Sequence, residues 1–245
     1  GTDAMRFALV AYTAQGRDIN LDVLRVVGYR HWCNKMWNAV RFAMMNLGDG
    51  YAAPEVAMTQ ESPDLTAASK WALSRMDKAV AMVNDSLETY DFNGSTTGVY
   101  HFWQYDLCDV FIELMKPVVQ GNDEVAKKST RDVLWTLLDA GLRLLHPFMP
   151  FVTEELWQRL PRRQAETARS IMIADYPVST PDTRVDEVVE TRMASAMDVV
   201  KAVRALRASY NLPPKAKPEV FVVARGDEAV AAMSLFADAI ATLAS

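Results

Sequence analysis

The stretch Tyr29-Arg30-His31-Trp32-Cys33-Asn34-Lys35-Met36-Trp37-Asn38-Ala39-Val40-Arg41-Phe42 contains neither proline nor glycine and repeats its apolar residues at helical spacing. Stepping about 100° per residue puts Tyr29, Trp32, Cys33, Met36, Trp37, Ala39 and Val40 on one side, together with Ala43 and Met44. Arg30, His31, Asn34, Lys35, Asn38, Arg41 and Phe42 fall on the other. The spacing predicts one long helix with a core face and a polar face. Asn20 is the expected N-cap, and Gly48 and Gly50 are the expected stop after about Leu47.

The polar face is unusual in its charge. No acidic residue occurs between Val23 and Gly48, whereas Arg25, Arg30, Lys35 and Arg41 do. An ordinary solvated helix mixes signs and gains from pairs four residues apart; this one forgoes them. A face of one sign suits an anionic partner, and a guanidinium can fork onto a phosphate. Asn34 and Asn38 offer both a donor and an acceptor to a base edge. Phe42, set among polar neighbours, is placed to stack on an unpaired base. The face is therefore a candidate for RNA: Arg30, Asn34, Lys35, Asn38, Arg41 and Phe42 first, His31 and Met45 second. A second run without acids, from Lys201 through Arg204 and Arg207 to Lys217, adds Lys201 and Arg204 as secondary candidates.

Working outward, the pattern predicts helix after helix. A first runs from Asp3 to Ala14 and stops at Gly16. A third opens at Asp64 or Thr66 and reaches about Tyr90. A fourth, capped by Asn93 or Ser95, runs to Met115 until Pro117 kinks or ends it. Asn122 caps a fifth, whose Leu134, Leu137, Leu138, Leu142 and Leu145 form one buried stripe. A sixth spans Phe151 to Leu160. The character then changes. Ser170–Ala174 and Glu219–Ala224 read as short strands, around helices from Arg184 to Ser209 and from Asp227 to Leu243. The expected fold is mainly α: an antiparallel helix bundle over residues 19–165, a connection over 1–18, and a small α+β appendage over 166–245.

Composition sets limits on this reading. Half of the 245 residues are hydrophobic, as in a folded protein with a large core. The net charge of −5 argues against a general nucleic-acid coat protein and leaves room for a local basic face. Cys33 and Cys108 sit far apart in apolar stretches and read as buried, reduced thiols. No run of apolar residues is long enough for a membrane span. The three histidines have no partner at metal-ligand spacing, and neither a phosphate-binding glycine loop nor a nucleophile elbow occurs. His146 before Pro147 reads as a helix-end packing residue, and Glu154-Glu155 as first-turn helix acids. No catalytic residue, metal or cofactor is expected in the chain itself.

Several stretches, in order, resemble a family. Gly1-Thr2-Asp3-Ala4-Met5-Arg6-Phe7 resembles the segment that follows the nucleotide-binding lysine motif of class I synthetases for aliphatic amino acids. Gln15-Gly16-Arg17-Asp18-Ile19 is similar to the valine-specific version of the next stretch. Tyr29–Phe42 resembles the family's anticodon-domain helix, and Leu145-His146-Pro147-Phe148-Met149-Pro150-Phe151-Val152-Thr153-Glu154-Glu155-Leu156-Trp157 its later signature. Val203-Arg204-Ala205-Leu206-Arg207 with Tyr210-Asn211-Leu212 resembles the start of the appendage. The resemblance is to the valyl-tRNA synthetase family, with isoleucyl- and leucyl-tRNA synthetases sharing the architecture. It implies the anticodon-binding region of an enzyme that attaches valine to tRNA(Val) with ATP and magnesium, in the cytoplasm or an organelle. The family's His-x-Gly-His motif and Lys-Met-Ser-Lys-Ser loop do not occur in these residues. The chain is thus expected to be a non-catalytic piece, with catalytic and editing domains upstream as partners and a coiled-coil arm beyond its end. A reading from another class is a helical protein-interaction module without an RNA role.

Overall fold

The computed structural model describes residues 1–14, 20–213 and 215–244. Gln15-Gly16-Arg17-Asp18-Ile19, with the expected stop at Gly16, lies outside the described residues. The described chain forms α1 (Thr2–Ala11), a 3-10 turn (Tyr12–Ala14), α2 (Val23–Leu47), α3 (Ala67–Glu88) and α4 (Phe92–His101). A π-helical stretch (Phe102–Phe111) then runs directly into α5 (Ile112–Gln120). Next come α6 (Glu124–Leu145), α7 (Pro150–Trp157), α8 (Pro181–Arg184), α9 (Glu187–Ser209), α10 (Asp227–Leu235) and α11 (Ala237–Leu243).

The predicted helices form, with their starts moved by a residue or two. Asp22, Asp91 and Asp123 cap α2, α4 and α6 through side-chain oxygens that accept backbone N–H bonds. The amides proposed for these places, Asn20, Asn93 and Asn122, lie just beside them. A carboxylate at the positive end of the helix dipole gains more than an amide does, which favours the aspartates. Thr66 caps α3 as predicted. Pro117 does not end the fourth helix, which continues to Gln120. One backbone bond is lost there, but burial of Ile112, Leu114 and Met115 holds the helix in place.

The appendage differs from expectation, because no strand forms among the described residues. Ser170–Ala174 instead builds a 3-10 turn over Ile171–Ile173. Ser170 caps it, and Glu154 accepts the Ser170 hydroxyl and the Ile171 N–H. Ile171 alone is buried. Val220, Phe221, Val222 and Val223 are exposed and pair with no neighbour in a ladder. Strand propensity needs a partner to act on, and these described residues supply none. The predicted last helix breaks at buried Phe236 into α10 and α11, both packed on α9. The mainly α bundle stands, and its appendage is helical rather than α+β as far as it is described.

One hydrophobic core, from Phe7 to Ala244, joins these elements. The segment expected as a connection is packed into it. Phe7 lies 4.8 Å from Tyr29 and 4.9 Å from Trp32, centroid to centroid. Asp3 accepts the Phe151 and Val152 N–H groups at the start of α7. At the centre lies α6, whose Leu134, Leu137, Leu138 and Leu142 are fully buried. Gly141 on α6 faces the π-helical stretch. A Cβ there would meet Phe102 Cε1 and Trp103 Cε2 at 3.2 Å, and the Trp103 indole N–H donates to the Gly141 carbonyl at 3.0 Å.

His146 closes α6 and is buried, as a helix-end packing residue should be. The Thr153 hydroxyl donates to the Met149 carbonyl at 2.8 Å, so its oxygen is left to accept from His146 Nδ1 at 2.7 Å. That tautomer leaves Nε2 without its proton, buried and without a partner. Protonating Nε2 would bury a second N–H without an acceptor. Burial accordingly holds the imidazole below its ordinary value, although Glu154 and Asp3 pull the other way.

Two predictions follow from this packing. Gly141→Ala should cost about 1 kcal/mol net, because overpacking against two pinned rings outweighs the gain of about 1 kcal/mol in helix propensity; a urea midpoint at or above wild type would refute the fit. The His146 pKa is lower folded than unfolded, so its contribution is complete above about pH 6.5 and is lost as pH falls below that. The urea midpoint should therefore drop between pH 7.5 and 5.5, and His146→Gln should shrink the drop.

Candidate nucleic-acid interface

The site is built on α2. Asp22 starts the helix by accepting the Leu24 N–H at 2.8 Å, and Gly48, at φ +81°, ends it where an L side chain would be strained. Trp32, Met36, Ala39, Val40, Ala43 and Leu47 are buried, against α1, α6 and α7. This row fixes the rotation of the helix and hence what it shows to solvent.

The opposite row is exposed: Arg30, His31, Asn34, Asn38, Arg41 and Met45. At about 1.5 Å rise per residue the row from Arg30 to Met45 is about 22 Å long. None of these six side chains makes a hydrogen bond or ion pair with the described residues. The predicted RNA candidates thus divide in two. Arg30, Asn34, Asn38 and Arg41, with His31 and Met45, lie together in the open. Lys35 and Phe42 lie half-buried at the margin, where the row meets the π-helical stretch and α5. The Lys35 ammonium donates to Asp109 Oδ1 at 2.6 Å. The Phe42 ring packs on the core with the Lys116 ammonium 5.7 Å from its centroid. Phe42 is not the open stacking surface that its neighbours in sequence suggest.

Trp37 takes that place on the other margin. Assigned to the core by its angle, it is 38% exposed, with the Arg159 guanidinium 5.4 Å from its ring centroid. Its signal in the sequence was its position beside Arg30 and Arg41 on the helical projection, at the boundary of the two faces. Arg159 in turn pairs with Glu155. Both margins are therefore made of neutralised pairs, Lys35 with Asp109 and Arg159 with Glu155, while the middle carries two unpaired guanidiniums.

The second basic run behaves differently. Lys201 pairs with Asp198 at 3.0 Å. Arg204 donates to the Leu243 carbonyl at 2.8 Å, and Arg207 to the Ala216 carbonyl at 2.8 Å. These arginines tie the appendage to α9. Among the described residues no cluster of His, Cys, Asp or Glu gathers at metal-binding positions, and no helix is long and apolar enough to cross a membrane. Cys33 and Cys108 are free, and burial pushes the Cys108 thiol up to about 11.

Residues 69–222 match the family described as the anticodon-binding domain of tRNA ligase. The chain is 47% identical over 234 residues to a valine–tRNA ligase of Mus musculus, covering 96% of this chain and 18% of that protein. It is 47% identical over 246 residues to the valine–tRNA ligase of Rattus norvegicus, covering 100% of this chain and 19% of that one. It is 51% identical over 212 residues to a mitochondrial valine–tRNA ligase of Arabidopsis thaliana, covering 85% and 19%. The chain thus spans about a fifth of the length of these relatives. Among solved structures, LeuRS in a ternary LeuRS-tRNA-LeuAMS complex from Agrobacterium radiobacter K84 is similar, with a TM-score of 0.50 and 19% identity. That match covers 76% of this chain and 21% of that one, and it shows the fold.

Because Arg30 and Arg41 are exposed and make no hydrogen bond or ion pair with the described residues, Arg30→Ala and Arg41→Ala should each change folding stability by no more than about 0.5 kcal/mol. Urea unfolding of both variants checks this, and a loss above about 1 kcal/mol would give these arginines a packing role.

Proposed function

The chain belongs to the family of anticodon-binding domains of tRNA ligases, and from this premise we propose that it docks the anticodon arm of tRNA, that of tRNA(Val) in particular, on the exposed row of α2. The single observation that carries the reading is the row itself: two guanidiniums and two carboxamides in the open, all without partners among the described residues. Cations with no intramolecular partner have no pair to break when a phosphate arrives. Arg30 and Arg41 hold phosphates, and Asn34 and Asn38 face base edges or the sugar. His31 and Met45 flank them. Lys35 joins by exchanging Asp109 for a phosphate, which costs it the existing pair. Phe42 supports α2 from below, and Trp37 supplies the exposed ring for stacking. Lys201 acts locally through Asp198, and Arg204 serves the fold.

The valine assignment is supported by identity of about half with valine–tRNA ligases across most of the chain. In such a parent, the reaction joins valine to tRNA(Val) with ATP and magnesium, in domains other than this one. Its compartment is proposed as the cytoplasm, with mitochondrial forms among the relatives.

Titration with a tRNA(Val) transcript at several salt concentrations, beside a copy with an altered anticodon, tests the proposal. The native anticodon should bind more tightly. With two free cations the log–log salt slope should be about −1.4 to −1.8, and Arg41→Ala should weaken binding and reduce the slope by about 0.7 to 0.9. Equal binding of both transcripts would remove base readout from this face. Binding of neither, or an unchanged Arg41→Ala, would favour the protein-interaction module instead.

A further inference from the structure

Beside the first turns of α2 lies a recess of about 450 Å³, between α1, α2 and α4. Its wall includes Arg25, Gly28, Tyr29, Tyr100, His101 and Tyr105. Its volume is within the range of small-ligand sites. The tyrosines make a ladder of rings, with Tyr29 6.1 Å from Tyr100 and Tyr100 6.2 Å from Tyr105, each pair edge to face. The Arg25 guanidinium lies 4.5 Å from the Tyr12 centroid and 6.0 Å from that of Tyr29. Among the described residues it has no carboxylate partner, and the Tyr12 and Tyr29 rings hold it in place. The Tyr100 and Tyr105 hydroxyls make no hydrogen bond with the described residues. Aromatic faces, unused hydroxyls and one fixed cation together suit a flat, polar-edged ring attached to an anion. That is the chemistry of a nucleotide.

Gly28 is an independent pointer. It sits inside α2 at an ordinary helical φ, where glycine costs about 1 kcal/mol relative to alanine. No close approach among the described residues requires it, because a Cβ there would meet none of their atoms within 4 Å. The space it leaves open belongs to the recess. His31 and Lys35 follow Gly28 one and two turns later, and Lys35 binds Asp109, one turn beyond Tyr105. The recess is therefore continuous with the polar row.

We propose that this recess receives one unpaired nucleobase of the RNA that lies along α2, with Tyr105 and Tyr100 against the base and Arg25 near its phosphate. The inference rests on the reading of the α2 row as a tRNA-binding face. It adds a second contact, at the start of α2 and on other residues.

The test compares wild type, Gly28→Ala, Gly28→Leu, Tyr105→Phe, Tyr105→Ala and Arg41→Ala for binding of the tRNA(Val) transcript, with urea unfolding of each. Gly28→Ala and Gly28→Leu should be at least as stable as wild type, because both residues favour a helix and the space is open. Gly28→Leu fills the recess and should weaken binding about tenfold, as should Tyr105→Ala, while Gly28→Ala and Tyr105→Phe bind nearly as wild type. If Arg41→Ala weakens binding but a folded Gly28→Leu binds as wild type, the recess takes no base and the α2 reading stands. If neither weakens it, the α2 reading fails and the recess proposal fails with it.

Discussion

Where α6 passes the π-helical stretch, a Cβ at residue 141 would press on the Phe102 and Trp103 rings at 3.2 Å, so glycine lets those rings seat against the helix. The Trp103 indole fills the space and bonds to the carbonyl of the glycine it covers. This contact sets how deeply the long α4–α5 helix seats on α6, and most other positions follow from it. α3 and α5 pack against α6, and α2 rests on α6 together with α1 and α7. With Trp32, Met36 and Val40 directed into that core, Arg30, Asn34, Asn38 and Arg41 have to point outward. The polar row is a consequence of the packing and needs no further device to expose it.

The same core explains why the row stands out electrostatically in a chain of net charge −5. Elsewhere several cations near the core are paired with carboxylates. Arg75 bonds to Asp106 and Glu190, and Lys78 to Glu187 and Glu190, which fastens α9 to α3 and the π-helical stretch. Arg143 joins Asp139 to Glu166, and Asp139 also accepts the Trp157 indole N–H. Asp77 accepts the Ser179 hydroxyl and the Thr180 N–H. Burial raises the Asp106 carboxyl even beside Arg75, so the joint is one of geometry more than of net attraction. Several of the acidic residues are thus engaged in holding helices together. The sum of charges says little about the face of α2, which has no acid of its own.

Much of this was legible in the sequence, for reasons that differ by element. The bundle was, because its apolar stripes repeat over many turns and a long period is hard to mimic. The caps were displaced because Asn and Asp neighbour each other at three helix starts, and the helix dipole chooses between them. The strands were misread because Ile171 and Val220–Val223 have strand propensity and no described partner. On the polar face, the projection put Arg30, Asn34, Asn38 and Arg41 on the side that is exposed, and it failed at its edges. Whether Trp37, Lys35 and Phe42 are open depends on Arg159, Asp109 and Lys116, which come from distant segments. A helical wheel contains no information about those neighbours.

The edges matter for how such a face works. A guanidinium already paired with a carboxylate gains little from a phosphate, since one ion pair replaces another. A free and fully hydrated one gains the whole interaction and releases counterions. Within the exposed row the free cations are Arg30 and Arg41, with Asn34 and Asn38 beside and between them, while the paired cations Lys35 and Arg159 border it. Attraction is therefore concentrated along one line of the helix, and a strand displaced to either side meets Asp109 or Glu155. The neutralised pairs at the margins offer a phosphate less gain than the centre does. On the proposed reading this favours one register for the bound backbone, and base readout by short amide side chains requires a fixed register. Two cations alone provide modest affinity, so the row is better suited to positioning an arm than to capturing it.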